Sequence, residues 1–201
     1  MLTCGMPSDL PLLPAMHLWP LPYEDRLEPR LTAQIDLVVI HCTELPDLAM
    51  AREYGERAMY ANGTGNCGHY YIDRDGGVHE FVEPDRVANH TRGYNPRSIG
   101  IELVNTGRYP DWLDSRRQAM TEPYTVEQIA ALIALLNALR SEAPNLRLIA
   151  GHEDLDTTEV PASEDAGKQV RRKRDPGPLF PWERVLDATW LQRLRSDTTS
   201  R

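Results

Sequence analysis

The fold class is decided by one short stretch, Leu37-Val38-Val39-Ile40-His41-Cys42-Thr43. Its first four residues are apolar and three of them are β-branched, a composition typical of a strand that is buried on both faces. Such strands belong to sheets whose two faces are covered by helices. The stretch therefore predicts an α/β fold, with the polar residues His41 to Thr43 at the end of an inner strand.

The segments around this strand alternate between strand and helix patterns. Asp75-Gly76 between two β-rich runs predicts a hairpin, and Thr125 with Gln128 predicts a capped helix over 125–142. Together they predict one α/β domain in which helices flank a central mixed β-sheet. The other predicted elements are helices over 46–60 and 182–194, strands over 98–104 and 146–150, an irregular proline-rich arm over 1–30 and a surface loop over 156–174.

Composition and charge exclude several classes of protein. The 201 residues are 41% hydrophobic and 26% charged, which is ordinary for a globular chain. A net charge of −8 argues against nucleic acid as the main partner. No apolar run is long enough to span a membrane, and the first residues do not resemble a secretory signal. We therefore expect a cytoplasmic monomer, or a periplasmic protein if the start is truncated.

Two histidines occupy matching places in the pattern. His41 and His152 each follow a short apolar strand, and side chains at strand ends point into clefts at the rim of a sheet. Two imidazoles, one carboxylate or thiolate and a water form a catalytic zinc site. Asp175 is the candidate third ligand. Spacing alone leaves two interpretations, a zinc site or histidines that are merely packed or face solvent.

Glu102 and Lys173 are the candidate catalytic side chains. Glu102 interrupts an apolar run, on the strand face opposite Ile101, and that face is either wet or the floor of a cleft. A buried carboxyl has the raised pKa of a general base that works near neutrality. Lys173 is one of only two lysines and lies two residues before Asp175, so that beside a metal its compact charge would stabilise an oxyanion. The alternative for Lys173 is a solvated basic loop.

Taken together, these residues resemble the type 2 family of N-acetylmuramoyl-L-alanine amidases, whose fold is shared with peptidoglycan-recognition proteins. Each matching segment is weakly specific by itself, but the ordered set is strongly specific. The matching segments are Val38 to Thr43, Gly68 to Gly76, Ala88-Asn89-His90, Ser98 to Leu103, Gly151 to Leu155 and Lys173 to Pro178.

The resemblance implies a role for each candidate. His41, His152 and Asp175 would hold Zn²⁺ with water as the fourth ligand, Glu102 would activate that water, and Lys173 would stabilise the oxyanion. The activity implied is hydrolysis of the amide between the muramic lactyl group and L-alanine, in peptidoglycan or in anhydromuropeptides. The zinc amidase domain would cover residues 31–201.

The resemblance is incomplete in three places. The segment 153–172 is longer than in close relatives, which puts the position of Lys173 in question. The pair Asn89-His90 replaces a more usual aromatic-histidine pair, so the role of His90 stays open. The tyrosine that phage members have just before the histidine is absent, because Gly68 stands there, and this favours a mechanism based on Glu102. Separately, Asp175 stands where phage and animal members commonly have cysteine, which makes the chain more similar to the bacterial recycling and cell-wall branch.

Other functions and roles stay open at this point. The alternatives are a peptidoglycan-binding module without catalysis and a phage-type endolysin. Retention of all three candidate ligands argues against the first. We interpret His69 as a structural residue or as one that supports a metal ligand, and His17 and His79 as surface or packing residues. A Cys42–Cys67 disulfide, as in some animal relatives, is the alternative to two free thiols.

Overall fold

The strand that decides the fold is an inner strand of a seven-stranded mixed sheet in the computed structural model, which describes residues 16–195. This confirms the predicted fold class. The strands are β1 (Met16–Leu18), β2 (Leu37–Cys42), β3 (Tyr70–Ile72), β4 (Val78–Glu80), β5 (Ser98–Leu103), β6 (Leu148–Gly151), β7 (Glu159–Pro161), β8 (Gln169–Arg171) and β9 (Gln192–Arg193). The helices are α1 (Leu48–Glu56), α2 (Val126–Glu142), α3 (His152–Leu155) and α4 (Trp182–Asp187).

The strand order of the sheet is β1-β4-β3-β5-β2-β6-β9, and β7 with β8 forms a separate ribbon. Only β3 and β4 pair antiparallel within the large sheet, as the predicted hairpin requires. β2 pairs in parallel with β5 on one side and with β6 on the other. The carboxyl ends of these three strands therefore lie together at one edge.

Alternate residues of β2 and β5 face different surroundings. Val38, Ile40, Ile99 and Ile101 join the main core under α2. In the register of β2 and β5, His41 lies beside Glu102, one residue beyond the core pair Ile40 and Ile101. The period of two therefore turns His41 and Glu102 away from α2, on the same face of the sheet.

α2 has the predicted cap and is 17 residues long. Gln128 N donates to Thr125 Oγ1, and Thr125 N donates to Gln128 Oε1, which is the reciprocal capping box. Within residues 16–195 no helix combines the length and the apolar character needed to cross a bilayer.

The amino-terminal arm is more regular than predicted where it is described. Residues 1–15 lie outside the described part of the chain, but Met16–Leu18 forms β1 and pairs in parallel with β4. The sequence prediction failed here because the free edge of β4 offers backbone groups to any extended segment, whatever its side-chain period. Leu21 and Tyr23 of the arm are buried in a second apolar cluster.

Two predictions near the carboxyl end are corrected. The closing helix stops at Asp187 instead of 194, because Gln192 N and Leu194 N pair with backbone carbonyls beside β6 and extend the sheet as β9. The surface loop over 156–174 contains the antiparallel ribbon of β7 and β8. Both strands have three residues and β7 ends at Pro161, so neither shows an alternation of apolar and polar residues that could be recognised in the sequence.

Candidate active site

The three predicted metal ligands come together at the carboxyl edge of the sheet. His41 Nδ1 lies 2.8 Å from Asp175 Oδ2, and His152 Nδ1 lies 3.1 Å from the same oxygen. His41, His152 and Asp175 form the one group of three or more potential metal ligands within residues 16–195, and all three are buried. His41 is the fifth residue of β2, and His152 directly follows β6.

A glycine lets the third ligand reach the other two. Asp175 lies in the turn that precedes α4, far from β2 in sequence. A Cβ atom on Gly151 would lie 2.7 Å from Pro176 Cδ, so only glycine allows this turn to pack against the end of β6. Glu153 N donates to Asp175 O over 2.9 Å and fixes the backbone of the turn.

The electrostatics of this group suit a cation. Burial lowers the pKa of His41 to about 4, so the imidazole is neutral at pH 7 and free to ligate. Burial acts to raise the pKa of Asp175, but His152 and His41 outweigh it and hold that pKa well below its usual range. The second carboxylate oxygen of Asp175 is buried without a hydrogen-bond partner. An anionic buried carboxylate with one unpartnered oxygen fits a metal ligand.

Glu102 lies beside this group, on the face of β5 that the sequence left as either wet or the floor of a cleft. Glu102 Oε1 lies 4.0 Å from His41 Nδ1, and its side chain is 15% exposed. It lines a cavity, so this face of β5 is a cleft floor. Burial, and then the charge of Asp175, raises the pKa of Glu102 to about 8, while Lys173 opposes the shift. A Cβ on Gly68 would lie 2.9 Å from Glu102 Cγ, so glycine is needed at that wall.

His90 gains a structural role that sequence patterns did not show. His41 Nε2, on the ring side away from Asp175, lies 3.1 Å from His90 Nδ1 and 3.3 Å from Thr91 Oγ1. His90 Nε2 lies 3.1 Å from Ser98 Oγ. A proton on His41 Nε2 would leave the lone pair on Nδ1, which is the arrangement that a metal ligand requires.

Lys173 lies in the wall of the same cavity, which has a volume of about 680 Å³. The cavity combines basic and aromatic side chains with the candidate metal site. Its lining includes His41, Glu102, His152, Lys173, Asp175, Arg92, Arg172, Tyr54, Tyr60 and Trp112. No local pattern predicts that the two arginines and the three aromatic residues line one cavity, because they come from separate segments of the chain.

The other histidines and the two cysteines within residues 16–195 lie outside the candidate metal site. His69 is fully buried, and its Nδ1 accepts a hydrogen bond of 3.0 Å from Gly100 N, a structural role. His17 and His79 stack on each other with ring centroids 5.0 Å apart. Cys42 and Cys67 are free, buried thiols, so no disulfide joins them.

Comparisons with known proteins find one matching family and several similar proteins. The family described as N-acetylmuramoyl-L-alanine amidase matches residues 31–178. An endolysin of Enterobacteria phage K11 is 32% identical over 85 residues, 42% of this chain and 52% of the relative. The 1,6-anhydro-N-acetylmuramyl-L-alanine amidase AmpD of Enterobacter cloacae is 32% identical over 122 residues, 56% of this chain and 51% of the relative.

Among solved structures, the endolysin amidase LysCS from Clostridium intestinale superposes with a TM-score of 0.64 at 20% identity. The match covers 90% of this chain and 98% of that one. At this identity the likeness concerns the fold. This chain spans about half the length of the first curated relatives that it matches.

Proposed function

Because this chain belongs to the N-acetylmuramoyl-L-alanine amidase family, we propose that it is a zinc-dependent enzyme that hydrolyses the amide between the muramic lactyl group and L-alanine. The observation that carries the proposal is the convergence of His41 and His152 on one oxygen of Asp175, beside the buried carboxyl of Glu102. A binding module does not need a carboxyl with a raised pKa at the floor of its cleft.

Zinc fits these residues. Two neutral nitrogen donors and one carboxylate leave a fourth position open, as in catalytic zinc sites. The unpartnered oxygen of Asp175 and the support of His41 Nε2 by His90 both agree with a cation at this place. His41, His152 and Asp175 would hold the metal. Bound there, zinc would supply a Lewis acid that polarises the scissile carbonyl and acidifies a water molecule.

Glu102 is the proposed proton carrier. Its carboxylate takes the proton from the water that attacks the lactyl carbonyl carbon. When the carbon–nitrogen bond breaks, Glu102 returns this proton to the alanine nitrogen, which leaves as an amine. A cation near Glu102 favours its ionised form and so offsets the burial that raises its pKa.

Lys173 is the proposed oxyanion stabiliser. Negative charge develops on the carbonyl oxygen as water adds, and an ammonium group at the cavity wall stabilises it more strongly than it stabilises the neutral ground state. The effect of the Lys173 charge on the pKa values of Glu102 and Asp175 agrees with a position close to both.

Peptidoglycan or its soluble fragments are the proposed substrate class. The names of the relatives point to two forms, since AmpD is named for a 1,6-anhydro-muramyl substrate and the phage relative is an endolysin. The aromatic side chains of the cavity offer flat surfaces for sugar rings, and Arg92 offers a partner for a stem-peptide carboxylate. The cytoplasmic location expected from the sequence stays a prediction.

The test is zinc content together with amidase activity. Purified protein is analysed for metal, and release of the L-alanine-linked peptide is measured from an anhydromuropeptide and from intact sacculi. We expect one zinc per chain and release from at least one substrate. Preference for the soluble fragment indicates recycling, and release from sacculi indicates a wall-lytic enzyme. Glu102→Gln is expected to keep the zinc and to lose turnover about 10³-fold.

The control is Glu53→Gln, which changes an exposed carboxylate of α1 and should leave turnover unchanged. A Glu102→Gln enzyme that is as active as the wild type would overturn the assigned mechanism. A zinc-loaded wild type that binds muropeptide without cleaving either substrate would overturn the proposed activity and favour a recognition module.

A further inference from the structure

A buried ion pair that the mechanism above does not use lies next to the cavity. The side chains of Arg108 and Glu44 are 1% and 9% exposed. Arg108 Nε donates to Glu44 Oε1 over 2.7 Å, and Nη2 donates to Oε2 over 2.8 Å. This is the two-pronged arrangement that fixes a guanidinium in orientation as well as in place.

The other N–H groups of Arg108 are also occupied. Nη1 donates to Arg171 O over 3.0 Å, and Nη2 donates to Arg172 O over 3.3 Å. Nη1 also donates to Gln118 Oε1 over 3.2 Å. Every donor of the guanidinium therefore has a partner. The two backbone carbonyls belong to the residues directly before Lys173.

The pair connects three parts of the candidate site. Glu44 follows β2, which carries His41, and Arg108 follows β5, which carries Glu102. Its hydrogen bonds to the 171–172 carbonyls reach the segment that carries Lys173. On the far side of Lys173 the backbone is held by the bond from Glu153 N to Asp175 O. The lysine thus lies between two anchored points.

The surroundings of Glu44 are built for this contact. A Cβ on Gly107 would lie 2.7 Å from Glu44 Cγ, and Gly107 has φ +53°, so a glycine is required before Arg108. Glu44 itself adopts φ 50°, the left-handed region that few side chains tolerate. Trp112 Nε1 donates to Glu44 O over 3.1 Å and holds that backbone. Strain of this kind persists only where neighbouring contacts enforce it.

We propose that Arg108, oriented by Glu44, is a positioning residue that fixes Lys173 relative to Glu102 and His41. Its effect on rate rests on the proposed amidase function, whereas its effect on the placement of Lys173 does not. The hydrogen bonds from Arg108 to the carbonyls of Arg171 and Arg172 anchor the backbone directly before Lys173.

The kinetic test is a double-mutant cycle with Lys173. Arg108→Lys keeps the charge but loses the planar fork, and we expect it to lower kcat about 10- to 100-fold with little change in KM. In a Lys173→Ala background the same substitution should cost nothing further, because the group that it positions is gone. A merely structural role would give the same loss in both backgrounds and would overturn the proposal.

The control is Arg97→Lys, at an arginine whose side chain is more exposed than that of Arg108. Arg97 also makes a two-pronged contact with a carboxylate, Asp36, but it lies at the opposite, amino-terminal end of β5. We expect its kcat to stay within about twofold of the wild type. An equal loss of kcat in Arg97→Lys and Arg108→Lys would show that loss of any two-pronged arginine–carboxylate contact lowers kcat in this way.

A second measurement is independent of activity. Lys168 and Lys173 are the only lysines of the chain, so reductive ¹³C-methylation gives an NMR signal for each. The variant Glu44→Gln with Arg108→Gln removes both buried charges together and so avoids leaving one unpaired. We expect the Lys173 methyl signal, assigned by its loss in Lys173→Arg, to shift and sharpen towards that of a free side chain while Lys168 stays unchanged.

An unchanged Lys173 signal in this variant would overturn the proposal. If the wild type cleaves no muropeptide, the proposed function fails and the NMR result still decides the placement of Lys173. If the neutral pair does not fold, the Arg108→Lys cycle decides the question through turnover.

Discussion

The two faces of β5 belong to the same strand but have opposite physical chemistry. On one face Ile99 and Ile101 are fully buried against α2. On the other face Gly100 makes room for the His90 ring, since its Cβ would lie 2.6 Å from His90 Cγ, and Glu102 lines the cavity. The side chains of the first face are apolar and lose nothing by burial. The second face holds ionisable groups, and burial disfavours their charged forms. Stability and chemistry are therefore carried by alternate residues.

The same contrast holds for β2. Ile40 joins the core under α2, and His41, the next residue, lies among Asp175, His90 and Glu102. An inner strand can carry apolar side chains on one face and polar side chains on the other, because its backbone hydrogen bonds are complete whichever side chains it carries. Substitutions on the apolar face should therefore change the free energy of unfolding, and substitutions on the polar face should change zinc binding and turnover.

The largest effect is expected on the polar face, in His152→Ala. Loss of one of two nitrogen donors removes zinc at micromolar concentration, and turnover should fall at least about 10³-fold. Metal analysis and peptide release measure the two effects. His79→Ala, which removes a histidine outside the site, is the control and should change neither. Retention of stoichiometric zinc by His152→Ala would contradict the ligand assignment.

On the apolar face, Ile101→Ala should destabilise the fold. Ile101 is fully buried in the main core, and truncation of such a side chain costs about 2–5 kcal/mol through lost burial and the cavity that remains. Urea unfolding measures the change. At urea concentrations below the unfolding transition the variant should keep its zinc. A loss of zinc without a loss of stability would show that the two faces do not act independently.

A contact on the polar face is expected to tune zinc affinity. His90→Ala removes the partner of His41 Nε2 and should raise the zinc dissociation constant about 10- to 100-fold. Competition with a chromogenic chelator measures it, and His17→Ala is the matched control. An unchanged affinity would mean that Thr91 alone orients the His41 ring.

The smallest effect is a gain of stability. Burial holds the pKa of Glu102 at about 8 in the metal-free fold, above the ordinary value of 4.5, so its stabilising contribution is complete below pH 4.5 and is lost as pH rises through 8. Glu102→Gln removes this loss. The metal-free variant should exceed the wild type by about 1–3 kcal/mol at pH 9 and by much less at pH 5.

Urea unfolding in the presence of chelator at the two pH values measures this gain. Glu53→Gln, on the exposed face of α1, should give the same difference from the wild type at both. An equal stability difference for Glu102→Gln at pH 5 and pH 9 would show that burial does not raise the pKa of Glu102.

Some elements of the fold were readable from local sequence because a local rule produces them. The capping box at Thr125 and Gln128, the Asp75-Gly76 hairpin and the apolar run before His41 each depend on residues within a few positions. The edge strands β1 and β9 were missed because their backbone groups pair with a free sheet edge, and such pairing is indifferent to the side-chain pattern.

The α/β class, the family and the residue types of the candidate site are predictable without coordinates, because strand ends and ordered motifs are local signals. The contact between Asp175 and His41 across 134 positions of chain, and the hydrogen bonds from Arg108 to the segment before Lys173, are visible only in the folded chain. The same is true of Glu102, which faces a cleft instead of solvent. The reason is that distances between remote segments, and the burial that shifts a pKa, arise only when helices and loops close over the sheet.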